Sequence, residues 1–132
     1  MAEQIRPIVI IVDEFADLGD QVSDDRKARE EFYTSIRKIA QTGRNRSIHL
    51  ILCTQRPTAD LLPSSVKAQM NARVALKVNS ALDSRIILDQ DGAEQLLGRG
   101  DMLFKEANIF ERVQGYLISP KEIEEFLKSL SS

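Results

Sequence analysis

Asp13 and Glu14 stand side by side at the end of the apolar run Pro7-Ile8-Val9-Ile10-Ile11-Val12. Neighbouring carboxylates on a strand end can divide labour, one holding a hydrated divalent cation and the other taking a proton from water. In open α/β sheets such C-terminal strand ends are where ligands bind. A second apolar run, Ile48 to Cys53, closes on Thr54-Gln55-Arg56-Pro57. There the Gln55 amide has donors and an acceptor to offer an oxyanion or an attacking water. Each pair also has a plainer reading: Asp13-Glu14 as a solvated strand end, and Thr54-Gln55-Pro57 as a strand-ending turn. The residue types alone leave both open.

These side chains need rigid elements beneath them. The β-branched run before Asp13 suits a central parallel strand buried on both faces. Asp20 to Asp25 reads as a polar loop. Lys27 to Gln41 then places Phe32, Ser35, Ile36, Ile39 and Ala40 at helical spacing, with Gly43 as the stop. Ile48 to Cys53 is the second buried strand, so the order strand, helix, strand predicts a βαβ unit. Pro57 ends that strand. Leu61 to Met70 reads as a short helix, Ala72 to Val78 as a third strand, and Asn79-Ser80 as the start of another helix. Gly92, Gly98 and Gly100 punctuate the next stretch, and Asp101 to Phe104 with Arg112 to Ile118 form a late strand pair. Ser119, Pro120 and Glu122 occupy the cap, first and third positions of a terminal helix.

Composition sets the class. The 132 residues are 42% hydrophobic, 29% charged and 5% aromatic, as in soluble globular domains, and one domain accommodates them. A net charge of −2 gives no basic field for nucleic acid, so any DNA contact must be local or shared between copies. Cys53 is the single cysteine, which excludes an internal disulfide, and its apolar setting predicts a buried, inert thiol. No run approaches the ~20 apolar residues of a membrane span, and the expected compartment is the cytoplasm.

Four apolar residues followed by Asp13-Glu14 match the Walker B pattern of P-loop nucleotidases. Three longer blocks extend the match. Ile10 to Leu18 (IIVDEFADL), His49 to Pro57 (HLILCTQRP), and Asp83 to Asp89 (DSRIILD) followed by Gly92 to Leu103 (GAEQLLGRGDML) resemble, in the same order, the motor domain of FtsK/SpoIIIE translocases. The resemblance runs from about Pro7 to Leu127. It implies an α/β fold: a partial RecA-like parallel sheet with flanking helices and a late antiparallel strand pair. It also implies ATP and Mg²⁺ as cofactors, double-stranded DNA as partner, and assembly into a hexameric ring. By the same resemblance Asp13 is the Mg²⁺-side carboxylate, acting through water. Glu14 is the catalytic base, Gln55 the sensor of the terminal phosphate, and Thr54 its neighbour in the nucleotide site. Arg73 resembles the position that reaches a neighbouring subunit's ATP, and Arg85 is the second candidate. Lys67, Arg99, Arg112 and Lys105 are local cations for DNA, each with a solvated-surface reading beside it.

Two departures follow. The family's phosphate loop, ending in Gly-Lys-Ser/Thr, has no counterpart in these residues, and no Lys-Ser/Thr follows Gly92, Gly98 or Gly100. The chain alone is therefore expected to bind ATP weakly and not to hydrolyse it. Between Phe104 and Arg112 the family carries a loop rich in proline and glycine, and Lys105 to Glu111 has neither. Residues 1–132 are read as the Walker B half of a motor domain, with an apolar sheet edge left open to self-association. Two other readings stand beside it: a module of a type VII secretion-like ATPase that moves protein, and a non-catalytic subunit that completes a split motor.

Overall fold

The computed structural model describes residues 6–130. β1 (Ile8–Val12) and β2 (Ile48–Leu52) pair in parallel, Ile8 against Ile48 through to Val12 against Leu52. Between them run α1 (Phe15–Gln21) and α2 (Arg26–Gly43). The start of α2 is fixed by Asp25, whose carboxylate accepts from the amides of Lys27 (2.9 Å) and Ala28 (3.1 Å), as an N-cap does. At its end Gly43 lies so close to Ile48 that an added Cβ would stand 2.9 Å from the Ile48 carbonyl oxygen. Phe15, Ala16, Ile36, Leu61 and Val66 form the core under this sheet, with the Phe15 and Phe32 rings stacked at 5.4 Å.

The second part is antiparallel. β3 (Ala72–Leu76), β4 (Asp101–Glu106) and β5 (Ile109–Gln114) form a sheet in that order. After the short α3 (Ser64–Lys67) and β3, α4 (Ala81–Leu88) opens with a capping box between Ser80 and Asp83. Ala75, Leu88, Ala93, Leu96 and Leu103 make a second core. The Ser84 hydroxyl, fully buried there, donates to the Gln90 carbonyl and accepts from the Ala93 amide, so its burial leaves nothing unpaired. α5 (Pro120–Leu130) follows, and Ser119 with Glu122 forms the expected capping box.

The α/β class and the parallel sheet agree with the sequence reading, and several details do not. The strand at Ala72–Leu76 was expected to continue the α/β alternation; it joins the antiparallel sheet instead, because β4 pairs along its whole length. β5 stops at Gln114 rather than Ile118, and Tyr116 and Leu117 beyond it are almost fully exposed. α1 occupies residues assigned partly to a loop, its first turn capped by the Glu14 side chain. The helix expected over Leu61 to Met70 is regular only from Ser64 to Lys67, where Pro63 sets its start. β1 is not buried on both faces: Ile8, Val9 and Ile11 are 53%, 56% and 65% exposed. Among the described residues its one strand neighbour is β2, so nothing covers its far side. Cys53, expected to be buried, is exposed for the same reason: it lies just past β2, outside either core.

Candidate functional site

The ladder of β1 and β2 continues past both strands. The Cys53 amide donates to the Val12 carbonyl (2.8 Å) and the Phe15 amide to the Cys53 carbonyl (2.7 Å), which brings residues 13–14 and 54–55 together at one sheet end. Glu14 is the centre of this group. One of its carboxylate oxygens accepts from the Thr54 hydroxyl (2.6 Å) and the Ala16 amide (3.0 Å), the other from the Gln55 amide (2.9 Å). The Thr54 hydroxyl, and after it the Gln55 amide, hold the Glu14 carboxyl below its ordinary range, since donors favour the charged form. Asp13 next to it is exposed, and among the described residues no hydrogen bond engages its carboxylate. The Thr54 hydroxyl also accepts from the Arg56 amide (3.1 Å). The Arg56 guanidinium reaches back to Asp20 (2.6 Å) and Asp17 (3.4 Å) on α1, tying the turn after β2 to the helix after β1.

One carboxylate with open coordination fits a cation that keeps most of its own water, as Mg²⁺ does. Among the described residues no cluster of three or more ligating side chains exists that would hold a metal by protein groups alone. Asp13, Glu14, Thr54 and Gln55 are thus brought together as the spacing suggested.

The candidate arginines lie elsewhere and differ from one another. Arg85, on α4, has a side chain 53% exposed and pairs with a surface carboxylate, Asp91, at 2.7 and 2.9 Å, while its charge also acts on Glu94. Arg73, on β3, has a side chain 18% exposed; it donates to Asp89 (2.6 Å) and to the Ile87 carbonyl (2.9 Å). The basic residues expected at DNA divide likewise. Arg99 is exposed, with φ 55°. Lys67 is held by Asp89 at 2.7 Å. Arg112 forms a fork on the buried Asp101, at 2.8 and 2.6 Å, and the Leu97 amide adds a third bond (2.7 Å). Led by the Arg112 guanidinium, these donors bring the Asp101 carboxyl down to about 2. Sequence reading missed Asp101 and Asp89 as partners. Their cations are brought to them by strand pairing and by the packing of α3 and α4, and no local spacing records either.

A family model described as the FtsK/SpoIIIE family matches residues 1–59. The DNA translocase FtsK of Sporosarcina ureae is 48% identical over 119 residues, 89% of this chain and 14% of the relative. The DNA translocase SpoIIIE of Bacillus subtilis (strain 168) is likewise 48% identical over 119 residues, with the same coverage. The chain is of the FtsK/SpoIIIE type. The FtsK/SpoIIIE-type segment here spans about one-seventh of the length of those relatives. Among solved structures, the pCW3 conjugation coupling protein TcpA, in its monomer form with ATPgS, superposes with a TM-score of 0.80 at 24% identity, over 99% of this chain and 39% of that one. The cytoplasmic domain of the Thermomonospora curvata type VII secretion ATPase EccC gives 0.68 at 26% identity, over 86% and 13%. The mixed α/β fold of this FtsK/SpoIIIE-type chain, a parallel sheet followed by an antiparallel one, is that of P-loop ATPase motor domains.

Proposed function

We propose that the chain is the Walker B half of a motor domain in an ATP-driven double-stranded DNA translocase that works as a hexameric ring in chromosome segregation or conjugative transfer. The observation that carries this reading is the Glu14 carboxylate, fixed between two parallel strand ends by Thr54 and Gln55, with Asp13 open beside it. Bound Mg²⁺ and ATP would supply the phosphoryl group and the charge neutralisation for its transfer. Asp13 would hold the hydrated metal, and Glu14 would accept a proton from water. Gln55 would meet the terminal phosphate with its free amide while its backbone holds Glu14, and Thr54 would orient both. A phosphate loop from outside these residues has to complete the site.

For the arginine that reaches a neighbouring subunit's nucleotide, the geometry favours Arg85 over Arg73. A group acting in trans must leave its own surface, and Arg85 gives up only an exposed ion pair, of about 0–1 kcal/mol, to do so. Arg73 would abandon a largely buried set of bonds. For DNA, Arg99 is the freest of the four predicted cations, because Lys67 and Arg112 are each engaged by an aspartate and Lys105 by the Leu88 carbonyl. DNA is favoured over protein as cargo because the relatives at 44–48% identity are DNA translocases.

The test is DNA-stimulated ATP hydrolysis by the full-length translocase. Glu14→Gln keeps the shape and one acceptor oxygen, for Thr54 and Ala16, but gives up the acceptor for the Gln55 amide and cannot take a proton, so turnover falls at least about a hundredfold with nucleotide binding retained. A variant that hydrolyses ATP at the native rate would sink the assignment.

A further inference from the structure

The two groups that hold Glu14 from across the sheet, the Thr54 hydroxyl and the Gln55 amide, belong to the turn after β2, so the place of the carboxylate depends on what fixes that turn. The strand ladder does not fix it. That ladder ends with the two bonds at Cys53, and among the described residues no backbone-to-backbone bond holds residues 54–57, where Pro57 has no amide to offer. A side chain supplies the clasp. One Arg56 guanidinium nitrogen lies 2.6 Å from Asp20 and 3.4 Å from Asp17, carboxylates spaced to share one face of α1. The Arg56 amide meanwhile donates to the Thr54 hydroxyl oxygen (3.1 Å), and that hydroxyl donates in turn to Glu14 (2.6 Å). Glu14 itself caps the first turn of α1 through the Ala16 amide. The contacts thus form a closed circuit: Glu14, α1, Asp17 and Asp20, Arg56, Thr54, and back to Glu14.

The rest of this seam is held independently. A Cβ added at Gly19 would stand 2.6 Å from Leu61, so α1 lies in close apolar contact with the stretch after Pro57, and the Tyr33 hydroxyl on α2 donates to the Asp60 carbonyl (3.0 Å). Loss of the Arg56 clasp therefore frees residues 54–57 without unpacking the core beneath. The ion pairs are also open to water, with side chains 57%, 62% and 69% exposed for Arg56, Asp20 and Asp17, and exposed pairs contribute little to stability. A clasp that adds little to the fold but closes a ring through one carboxylate has its main consequence at that carboxylate.

We propose that Arg56 is a positioning residue for Glu14: clasped to α1, it holds the turn after β2 where Thr54 and Gln55 meet the carboxylate. Among the described residues it makes no hydrogen bond to Glu14, and it acts through these two donors. Without the clasp the donors drift, and the carboxylate spends less time in the one rotamer they define. The inference rests on the reading of Glu14 as the base, and the two fail separately.

The experiment uses the full-length translocase, with hydrogen exchange measured before nucleotide is added and kcat and KM for ATP measured with DNA. Asp20→Asn loosens the clasp from the α1 side and leaves residues 54–57 as they are. Exchange of the Gln55 and Arg56 amides should quicken while β1 and β2 stay as protected as before. The kcat should fall about tenfold at little-changed KM, the scale of a misplaced catalytic group. Arg56→Gln removes both ion pairs and should do the same, and Asp20→Asn added to it should cost nothing more. Arg56→Lys should recover most of the turnover, because a single nitrogen serves both carboxylates. Asp24→Asn neutralises a carboxylate that does not meet Arg56 and should change neither readout. Unchanged exchange at Gln55 and Arg56, additive losses in the double variant, or a kcat loss accompanied by faster exchange throughout β1 and β2 would each overturn the proposal. If Arg56→Gln does not fold, Asp20→Asn decides by the same two readouts. Turnover lost in Glu14→Gln but native in Asp20→Asn and Arg56→Gln refutes the role of Arg56 alone. Native turnover in Glu14→Gln removes the base assignment, and faster exchange at Gln55 in Asp20→Asn then still supports the clasp.

Discussion

The two sheets of this chain contrast in how far each satisfies itself. The antiparallel one has its central strand paired on both edges, a core of its own, and its principal carboxylates locked: Asp101 by Arg112, Asp89 by Lys67 and Arg73. The parallel one has two strands, apolar residues of β1 open to solvent, and a carboxylate, Asp13, left without a partner among the described residues. Asp13 and Glu14, the carboxylates proposed for metal and proton, sit on the less finished side. A carboxylate proposed to hold a hydrated metal has to be left unpaired, as Asp13 is among the described residues. Rigidity is concentrated where partners are held in place, and openness where they must enter.

If the two cores are separate, truncating one should leave the other standing. Phe15→Ala empties the first core and should cost about 3–5 kcal/mol, and Leu88→Ala empties the second at about 2–5 kcal/mol. Hydrogen exchange should show each loss confined to its own sheet. Protection lost across both sheets from either change would break the comparison and make the chain one cooperative unit.

Acid should act on the antiparallel side through its locked aspartates. Asp101 and Asp89 both titrate near 2 in the folded chain, below the ordinary 3.8, because cations and amides hold their charged forms. A depressed carboxyl contributes stability that is complete above its unfolded value and drains as pH falls through the folded one. The thermal midpoint should therefore decline between about pH 4 and pH 2, and Asp101→Asn should flatten that decline. A midpoint independent of pH across this window would show that these pairs add nothing.

The smallest effect is local. The β4–β5 turn runs through Ala107 and Asn108, and Ala107 sits at φ 50°, a conformation that disfavours a side chain. Ala107→Gly should stabilise the chain by about 1 kcal/mol in denaturant unfolding. A loss of stability would mean that entropy outweighs the relieved strain.

How much of this the sequence disclosed follows from the range of the interactions involved. β1, β2 and α2 were legible because their periodicity is local, and the meeting of Glu14 with Thr54 and Gln55 followed from placing two strand ends together. Both capping boxes, at Ser80 and Ser119, lie within four residues and could be read or anticipated from sequence. What escaped is non-local. Whether β3 joined the parallel or the antiparallel sheet depended on pairing with a strand beginning at Asp101, and the Asp101–Arg112 fork exists only once β4 and β5 are in register. The exposure of Cys53 escaped for a related reason: an apolar run signals a strand, and what covers that strand is decided elsewhere.

The two-residue connection between β4 and β5 bears on the order of assembly. Antiparallel strands joined so closely meet by a short loop closure, on the microsecond scale of an isolated hairpin. β1 and β2 must instead find each other across both intervening helices, a slower search whose loop entropy is lost before any contact is gained. The hairpin and its packing on α4 should therefore nucleate folding, and the strand ends bearing Glu14 and Thr54 should be among the last parts of the chain to come together.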